Sequence, residues 1–104
     1  MISRLWRGWT SRENADAYEK LLRTEIFQGI AGRSVQGYRD IHLLRRDVDD
    51  GVEFVTIIWF DSLDAVRAFA GEDCEVAVVP PKARQLLSRF DGRSAHYRVI
   101  ESPV

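Results

Sequence analysis

Residues 54–60 read Phe-Val-Thr-Ile-Ile-Trp-Phe, a segment with the composition of a β-strand but with no polar side. Successive side chains of a strand point to opposite faces of the sheet. One face therefore carries Phe54, Ile58 and Phe60, and the other carries Val55, Ile57 and Trp59. Both faces must be covered, and a chain of 104 residues has enough helix for only one side of a small sheet. A second copy of the chain is the predicted cover for the other side.

Composition limits the kinds of partner that the chain can have. The 15 basic and 16 acidic residues give a formal net charge of −1, which disfavours a nucleic-acid partner because no basic excess neutralises phosphates. No apolar run approaches the ~20 residues of a membrane span, and Met1 opens no signal-peptide pattern, so we expect a cytoplasmic protein without a membrane partner. Cys74 is the only cysteine, which excludes an intrachain disulfide, and its neighbours Asp73 and Glu75 oppose a reactive thiolate.

Hydrophobic periodicity and turn residues divide the chain into six main elements. Thr10 and Ser11 supply a helix cap before the first helix, and Asp61 and Ser62 do the same for the second. Residues 72–88 are ambiguous, and we interpret them as an irregular connection followed by a short helix at 82–88 after two prolines. In chain order, the predicted elements are strand 1 at 2–9, helix 1 at 12–28, strand 2 at 35–47, strand 3 at 54–60, helix 2 at 63–70 and strand 4 at 93–101.

The resulting order, β-α-β-β-α-β, is that of the split βαβ, or ferredoxin-like, arrangement. We therefore expect an α+β fold in which a four-stranded antiparallel sheet carries helices on one face only. The length predicts a single domain over residues 1–104. The other face of the sheet is bare in a monomer, and strand 3 predicts that this face is apolar.

With this order of elements, the chain resembles the antibiotic-biosynthesis-monooxygenase-like proteins of the dimeric α/β-barrel superfamily. The resemblance covers nearly the whole chain, and most of the matching residues belong to structural motifs. They are Arg4-Leu5-Trp6-Arg7-Gly8, Ala15-Asp16-Ala17-Tyr18, Arg45-Arg46, Glu53-Phe54, Asp61-Ser62-Leu63-Asp64-Ala65, Phe69-Ala70-Gly71 and His96-Tyr97.

The resemblance implies a homodimer in which two ferredoxin-like sheets meet to close a barrel. Each protomer would keep a pocket for a small aromatic ligand between its sheet and its helices. Some relatives oxidise phenolic or anthrone-like substrates with dioxygen, and they use no metal, flavin or other cofactor. The resemblance therefore implies a cofactor-independent monooxygenase, and it implies no metal site.

Two positions depart from the phenol-oxidising relatives. Those proteins carry an Asn in strand 3 and a Trp four residues later, where this chain has Thr56 and Phe60. The haem-degrading relatives use a different set: an Asn in strand 1, a Trp in helix 2 and a His after it. Here Phe69 takes the place of that Trp and residues 72–85 contain no His, which argues against haem degradation by that set.

His96 and Arg7 are the candidate catalytic residues. His96 lies in strand 4, where a pocket histidine with a pKa near neutrality could take a proton from a phenol. Arg4 and Arg7 lie on opposite sides of strand 1, so at most one of them faces the pocket. We expect Arg7 to stabilise the substrate anion. The alternatives are a structural or interface role for His96 and an interface ion pair for the arginine.

The remaining candidates are assigned by face. The predicted pocket residues are Thr56, Phe60, Tyr18 and Phe69, and the predicted dimer-interface residues are Val55, Ile57 and Trp59. No spacing of His, Cys and carboxylates matches a known metal-ligand pattern. The alternative function is a non-enzymatic dimeric barrel that binds a small ligand or acts in a stress response, which the changes at Thr56 and Phe60 favour.

Overall fold

Over the residues that the structure describes, the fold is an antiparallel five-stranded sheet with the helices on one face. The structure is a computed structural model, and it describes residues 1–101. None of the helices in that range has the length and hydropathy to cross a bilayer. The elements are β1 (Ile2–Thr10), α1 (Arg12–Leu21), a π-helical turn (Leu22–Ile26), α2 (Phe27–Gly32), β2 (Tyr38–Val48), β3 (Gly51–Phe60), α3 (Leu63–Ala70), α4 (Pro81–Leu86), β4 (Leu87–Phe90) and β5 (Ala95–Arg98).

The strand β1 lies at the centre of the sheet. β2 pairs with β3, β3 pairs with β1, and the other edge of β1 is shared between β5 and β4. β5 covers the first half of that edge, where Arg4 is paired with His96, and β4 covers the second half, from Gly8 to Thr10. Across β3, Arg4 is paired with Ile58 and Trp6 with Thr56. These registers fix which side chains share a face.

The predicted α+β, ferredoxin-like class is confirmed, with one strand more than expected. The four-residue strand Leu87–Phe90 directly follows α4, in a stretch that was predicted to be helical to residue 88. Tertiary pairing with β1 overrides the local helical pattern there, at a point where the register shifts between Trp9 and Thr10. The last strand is shorter than predicted and spans Ala95–Arg98.

Helices α1 and α3 begin directly after their predicted capping residues, Ser11 and Ser62. The Ser11 hydroxyl accepts a hydrogen bond from the Asn14 amide at 3.2 Å, and the Ser62 hydroxyl accepts one from the Ala65 amide at 3.2 Å. α4 begins at Pro81, whose missing N–H costs nothing in the first turn. The first helical stretch extends to Gly32 rather than ending near residue 28, and it passes through the π-helical turn.

The core beneath the helices consists of two separate clusters. The first joins α1 to β3 through Tyr18 and Phe54, whose ring centroids lie 4.8 Å apart. The second joins α3 to the other end of β3 through Val66 and Phe60. Thr56 lies between the two clusters on the same face of β3, and it belongs to neither. The sheet is therefore less tightly covered in the middle than at its ends.

The opposite face of the sheet carries no helix from the described part of the chain. Leu44 and Tyr97 expose 50% and 56% of their surface on this side, and both are large apolar or aromatic residues. The predicted interface residues Val55, Ile57 and Trp59 lie on the same face and are half-buried. Their role between two copies of the chain stays a prediction.

Gly37 provides a test of how the turn before β2 packs on α3. Its φ is +90°, and an added Cβ would lie 2.6 Å from the Cβ of Ala65. We expect Gly37→Ala to lower the free energy of unfolding by ~1–3 kcal/mol, because both the backbone angle and the contact are unfavourable. Urea unfolding followed by circular dichroism measures the change.

Gly29→Ala is the matched control for this substitution. Gly29 lies inside α2, and a Cβ added to it would meet no atom within 4 Å, so alanine there should stabilise the helix by up to ~1 kcal/mol. Equal and small effects of the two substitutions would contradict the described packing of Gly37 against α3.

Candidate functional site

A cavity of about 160 Å³ lies between the helices and the sheet, at the gap between the two core clusters. Thr56 of β3 and Trp6 of β1 form part of its floor, because they are paired on the helix-covered face. Its walls are largely apolar. The apolar side chains come from three sources: the first helical stretch, β3 with α3, and the segment before α4. They include Leu22, Ile26, Phe27, Ile58, Phe69 and Val79.

The π-helical turn supplies one wall of the cavity. Leu22 begins the turn, Ile26 ends it, and Phe27 follows it, and all three line the cavity. A π-helical turn holds one more residue than an α-helical turn, so it changes the direction of the side chains that follow. Turns of this kind occur frequently at functional sites, which agrees with the position of this one.

Arg4 is the buried charged group of the described cavity. Its residue surface is only 4% exposed, yet it is part of the cavity lining. Nη1 donates to the Cys74 carbonyl and, at 2.9 Å, to His96 Nε2, and Nη2 donates to the Val76 carbonyl at 3.3 Å. Among residues 1–101, no Asp or Glu forms an ion pair with it. Burial lowers the pKa of the Arg4 guanidinium, because the charged form is less well solvated away from water.

The surroundings of Arg4 leave the cavity electropositive. The only other charged side chain lining the described cavity is Arg33, which lies at its exposed rim. The guanidinium carbon of Arg4 lies 5.8 Å from the centre of the Phe69 ring, and that of Arg33 lies 4.8 Å from it. A buried charge is ordinarily paired, so a positive group without a carboxylate favours an anionic ligand.

Several hydrogen-bond donors of the cavity have no acceptor among the described residues. A guanidinium has five N–H groups, and the three contacts of Arg4 leave Nε–H and one Nη2–H unused. Tyr18 also lines the cavity, and burial raises the pKa of its hydroxyl, so the hydroxyl stays protonated and able to donate. Donors without acceptors suit a ligand that brings oxygen atoms.

His96 supports Arg4 and does not line the cavity. An arginine can only donate, so Nε2 of His96 must accept the bond and the ring proton must be on Nδ1. Burial lowers the pKa of His96 below its ordinary value, the Arg4 charge lowers it further, and Glu75 acts in the opposite direction. The lone pair that a general base needs is therefore already occupied. The predicted role of His96 as the base that removes the substrate proton stays a prediction, and the structure places its ring behind Arg4 rather than in the cavity lining.

Arg7 lies on the other face of β1 and away from the cavity. Its Nε donates to Asp91 Oδ2 at 2.9 Å, its guanidinium carbon lies 5.4 Å from the Trp9 ring, and 49% of its side chain is exposed. Arg4, and not Arg7, is the arginine that faces the cavity. The alternation of strand 1 separates the two, but only the pairing of β1 with β3 shows which face is covered by helices.

The other predicted pocket residues divide into two groups. Tyr18, Thr56 and Phe69 line the cavity. Phe60 does not, because it is fully buried behind Phe69, with ring centroids 5.5 Å apart. On the opposite face, Trp59 Nε1 donates to His42 Nδ1 at 2.9 Å, which gives His42 a structural contact. Within residues 1–101 no group of His, Cys and carboxylate side chains could hold a metal ion.

The arrangement of strands and helices is that of a ferredoxin-like fold. Solved structures of this kind match nearly the whole chain. One is a protein from Bacillus cereus that is provisionally assigned as an antibiotic biosynthesis monooxygenase. It aligns with a TM-score of 0.69 and 17% identity, over 99% of this chain and 96% of that one.

Two further structures extend the comparison. Rv0793 from Mycobacterium tuberculosis aligns with a TM-score of 0.62 and 18% identity, over 99% of this chain and 98% of that one. A monooxygenase from the gene ActVA-Orf6 of Streptomyces coelicolor, in complex with the ligand nanaomycin D, aligns with a TM-score of 0.61 and 13% identity, over 99% and 90%. No protein-family model and no curated sequence matches the chain. The resemblance predicted from the sequence is therefore confirmed at the level of the fold.

The contact between His96 and Arg4 predicts a pH dependence of stability. The folded state disfavours protonated His96, whereas the unfolded chain takes up the proton near the ordinary pKa of 6.5. The free energy of unfolding should therefore fall as the pH drops below this value, and the fall should end below the lowered pKa. Urea unfolding of the wild type at several pH values measures it.

His96→Gln keeps a side-chain acceptor for Arg4 but has no group that titrates in this range. The groups that face His96 are Arg4 and Glu75, and both remain in the variant. Its unfolding free energy should decrease less steeply over the same pH interval. Identical slopes for the variant and the wild type would show that His96 is not held neutral by its surroundings.

Proposed function

We propose that this protein is a cofactor-independent monooxygenase that oxidises a small aromatic or phenolic substrate in the cavity beneath its helices. The observation that carries the proposal is the buried Arg4 guanidinium, which faces an apolar cavity without a carboxylate partner among the described residues. The fold shared with proteins assigned as monooxygenases supports the class of reaction. The position of Arg4 in the cavity lining supports binding of the substrate through its oxygen atom.

Arg4 would activate the substrate by binding its oxygen. A positive charge next to a phenolic O–H favours the phenolate and lowers its pKa. The proton then leaves to water at the exposed rim of the cavity, and His96 need not accept it. In this mechanism His96 is a positioning residue, because its Nε2 atom holds Nη1 of Arg4. Tyr18 offers a second donor toward the bound oxygen.

The oxidation step uses dioxygen as the oxidant and the phenolate as the electron donor. Transfer of one electron gives superoxide and an aryloxyl radical, and the two combine at a ring carbon that bears hydrogen. The peroxide takes up a proton from water, its O–O bond breaks and one water molecule leaves, so one phenol and one dioxygen become one quinone and one water. An apolar cavity keeps bulk water away from these intermediates, and the fixed Arg4 charge stabilises the anionic ones.

The residues at positions 56 and 60 leave the binding of the substrate anion to another group, and Arg4 would be that group. The phenol-oxidising proteins that the sequence resembles have an amide and an indole at these places. Here Thr56 offers a hydroxyl at the cavity floor and Phe60 is packed behind Phe69. Arg4 enters the same cavity from β1, so the anion-binding group would come from a neighbouring strand.

A second candidate function is a small-ligand-binding or stress-related dimeric barrel without catalysis. It is favoured by one observation: the described cavity lining contains no His, Asp or Glu that could act as a base. Binding without turnover would then be the whole activity. Oxygen consumption separates the two candidates.

The homodimer and the cytoplasmic location are further parts of the proposal. The bare face of the sheet carries Val55, Ile57 and Trp59 together with the exposed Leu44 and Tyr97. Burial of this apolar surface against a second copy would stabilise the dimer by about 25 cal/mol for each Å² of apolar surface removed from water. An exposed apolar face of this kind marks an interaction surface in a folded protein.

Oxygen uptake with a panel of single-ring phenols that have a free para position tests the reaction. We expect quinone formation with equal consumption of dioxygen and a loss of ~10²–10³-fold in rate for Arg4→Met, as for the removal of one anion-stabilising donor. Arg7→Met is the matched control on the same strand and should keep the wild-type rate. A loss for Arg7→Met with none for Arg4→Met would contradict the placement of the anion.

Sedimentation of the purified protein at micromolar concentration tests the dimer. The 12.0 kDa chain should sediment at about twice its monomer mass, and Ile57→Asp should shift it to the monomer or unfold it, because a carboxylate would be buried between the sheets. Leu63→Asp is the control, since Leu63 is exposed in the first turn of α3, away from the sheet face. A monomeric wild type would refute this part of the proposal.

A further inference from the structure

The volume of the cavity matches a ligand of one ring. Its volume is about 160 Å³. For comparison, an engineered apolar cavity of about 150 Å³ in another protein holds one benzene molecule. A ligand of three fused rings would extend past the exposed rim at Arg33, or would require Phe69 or the segment around Val79 to move.

The charge of the cavity selects among single-ring ligands. Arg4 is fixed in orientation by two main-chain carbonyls and by His96, so its two unused donors, Nε–H and one Nη2–H, have a set direction. Nε and Nη2 belong to one planar fork, which matches the two oxygens of a carboxylate or the single oxygen of a phenolate. A group that is already oriented loses little entropy when the ligand binds.

The lining discriminates against other anions. Leu22, Ile26 and Ile58 offer only apolar surface, and Phe69 and Trp6 offer aromatic surface. Inorganic phosphate or sulfate would leave this surface wet and would bring two charges to one buried cation. An aromatic monoanion satisfies the guanidinium and the apolar walls together.

We infer that the cavity is a selective site for single-ring aromatic monoanions, aryl carboxylates and phenolates, with the anionic group bound by Arg4. The inference deepens the proposed function and rests on it for the choice of cavity. It extends that function in one respect: a ring that cannot be oxidised binds as well as one that can, provided that it carries the charge.

Titration calorimetry with benzoate and benzamide tests the charge requirement. The two have nearly the same shape, but only benzoate is charged, and dioxygen does not oxidise it under these conditions. We expect benzoate to bind at least ~10-fold more tightly, as for a hydrogen bond to a charged group. Equal affinities, or no binding of benzoate, would overturn the inference.

Two variants assign the effect to Arg4. In Arg4→Met the preference for benzoate over benzamide should disappear, whereas in Arg7→Met it should remain. If Arg4→Met does not fold, Arg4→Lys keeps the charge without the fork and should bind benzoate more weakly than the wild type. A preference that survives in the Arg4 variants would place the anion elsewhere.

A size series and a phenol complete the test. Anthracene-9-carboxylate should bind more weakly than benzoate, and tighter binding would overturn the match to one ring. Bound 4-nitrophenol should turn yellow at a lower pH than the free compound, because Arg4 stabilises its phenolate. An unshifted transition would restrict the site to carboxylates and overturn the phenolate part.

The outcomes also separate this inference from the proposed function. Tight binding of benzoate without oxygen uptake on any phenol would keep the anion site and refute the oxidation. Oxidation of phenols by a protein that does not discriminate benzoate from benzamide would keep the reaction and refute the anion site.

Discussion

The Arg4 guanidinium is held by the Cys74 and Val76 carbonyls and by His96. It joins the centre of the sheet to the segment before α4 and to β5, two parts of the chain that are about 70 and 92 residues away from it. The same contact places a positive charge at the cavity. The Arg4 side chain therefore both connects these segments and supplies the charge of the cavity. A neutral residue at position 4 would remove the charge and change these contacts.

The cavity exists because the core is divided. Tyr18 and Phe54 fill one end of the covered face, and Phe60 and Val66 fill the other. Between them the side chain of Thr56 is too small to fill the space above the strand, and Leu22 and Ile26 of the π-helical turn line the gap that remains. A larger apolar residue at position 56 would be expected to close the cavity and join the clusters, which would remove the site.

The fold was predictable from the sequence because its signals are local. The two-sided apolar run of β3, the Ser11 and Ser62 caps and the order of the elements each fix one part of it. The site was less predictable, since it depends on pairings between distant segments. The alternation of strand 1 shows that Arg4 and Arg7 are on opposite faces, but only the register with β3 and β5 shows that Arg4 is covered and touches His96. Strand β4 was missed for the same reason, because four residues after a helix carry no strand signal without their partner.

A crystal structure of the protein with benzoate tests most directly whether Arg4 binds the anion. We expect the carboxylate oxygens to lie within hydrogen-bond distance of Nε and Nη2 of Arg4, with the ring among Leu22, Ile58 and Phe69, while Nη1 keeps its contact with His96. Benzoate bound instead through Arg33 at the rim, with Arg4 still without an anionic partner, would contradict it.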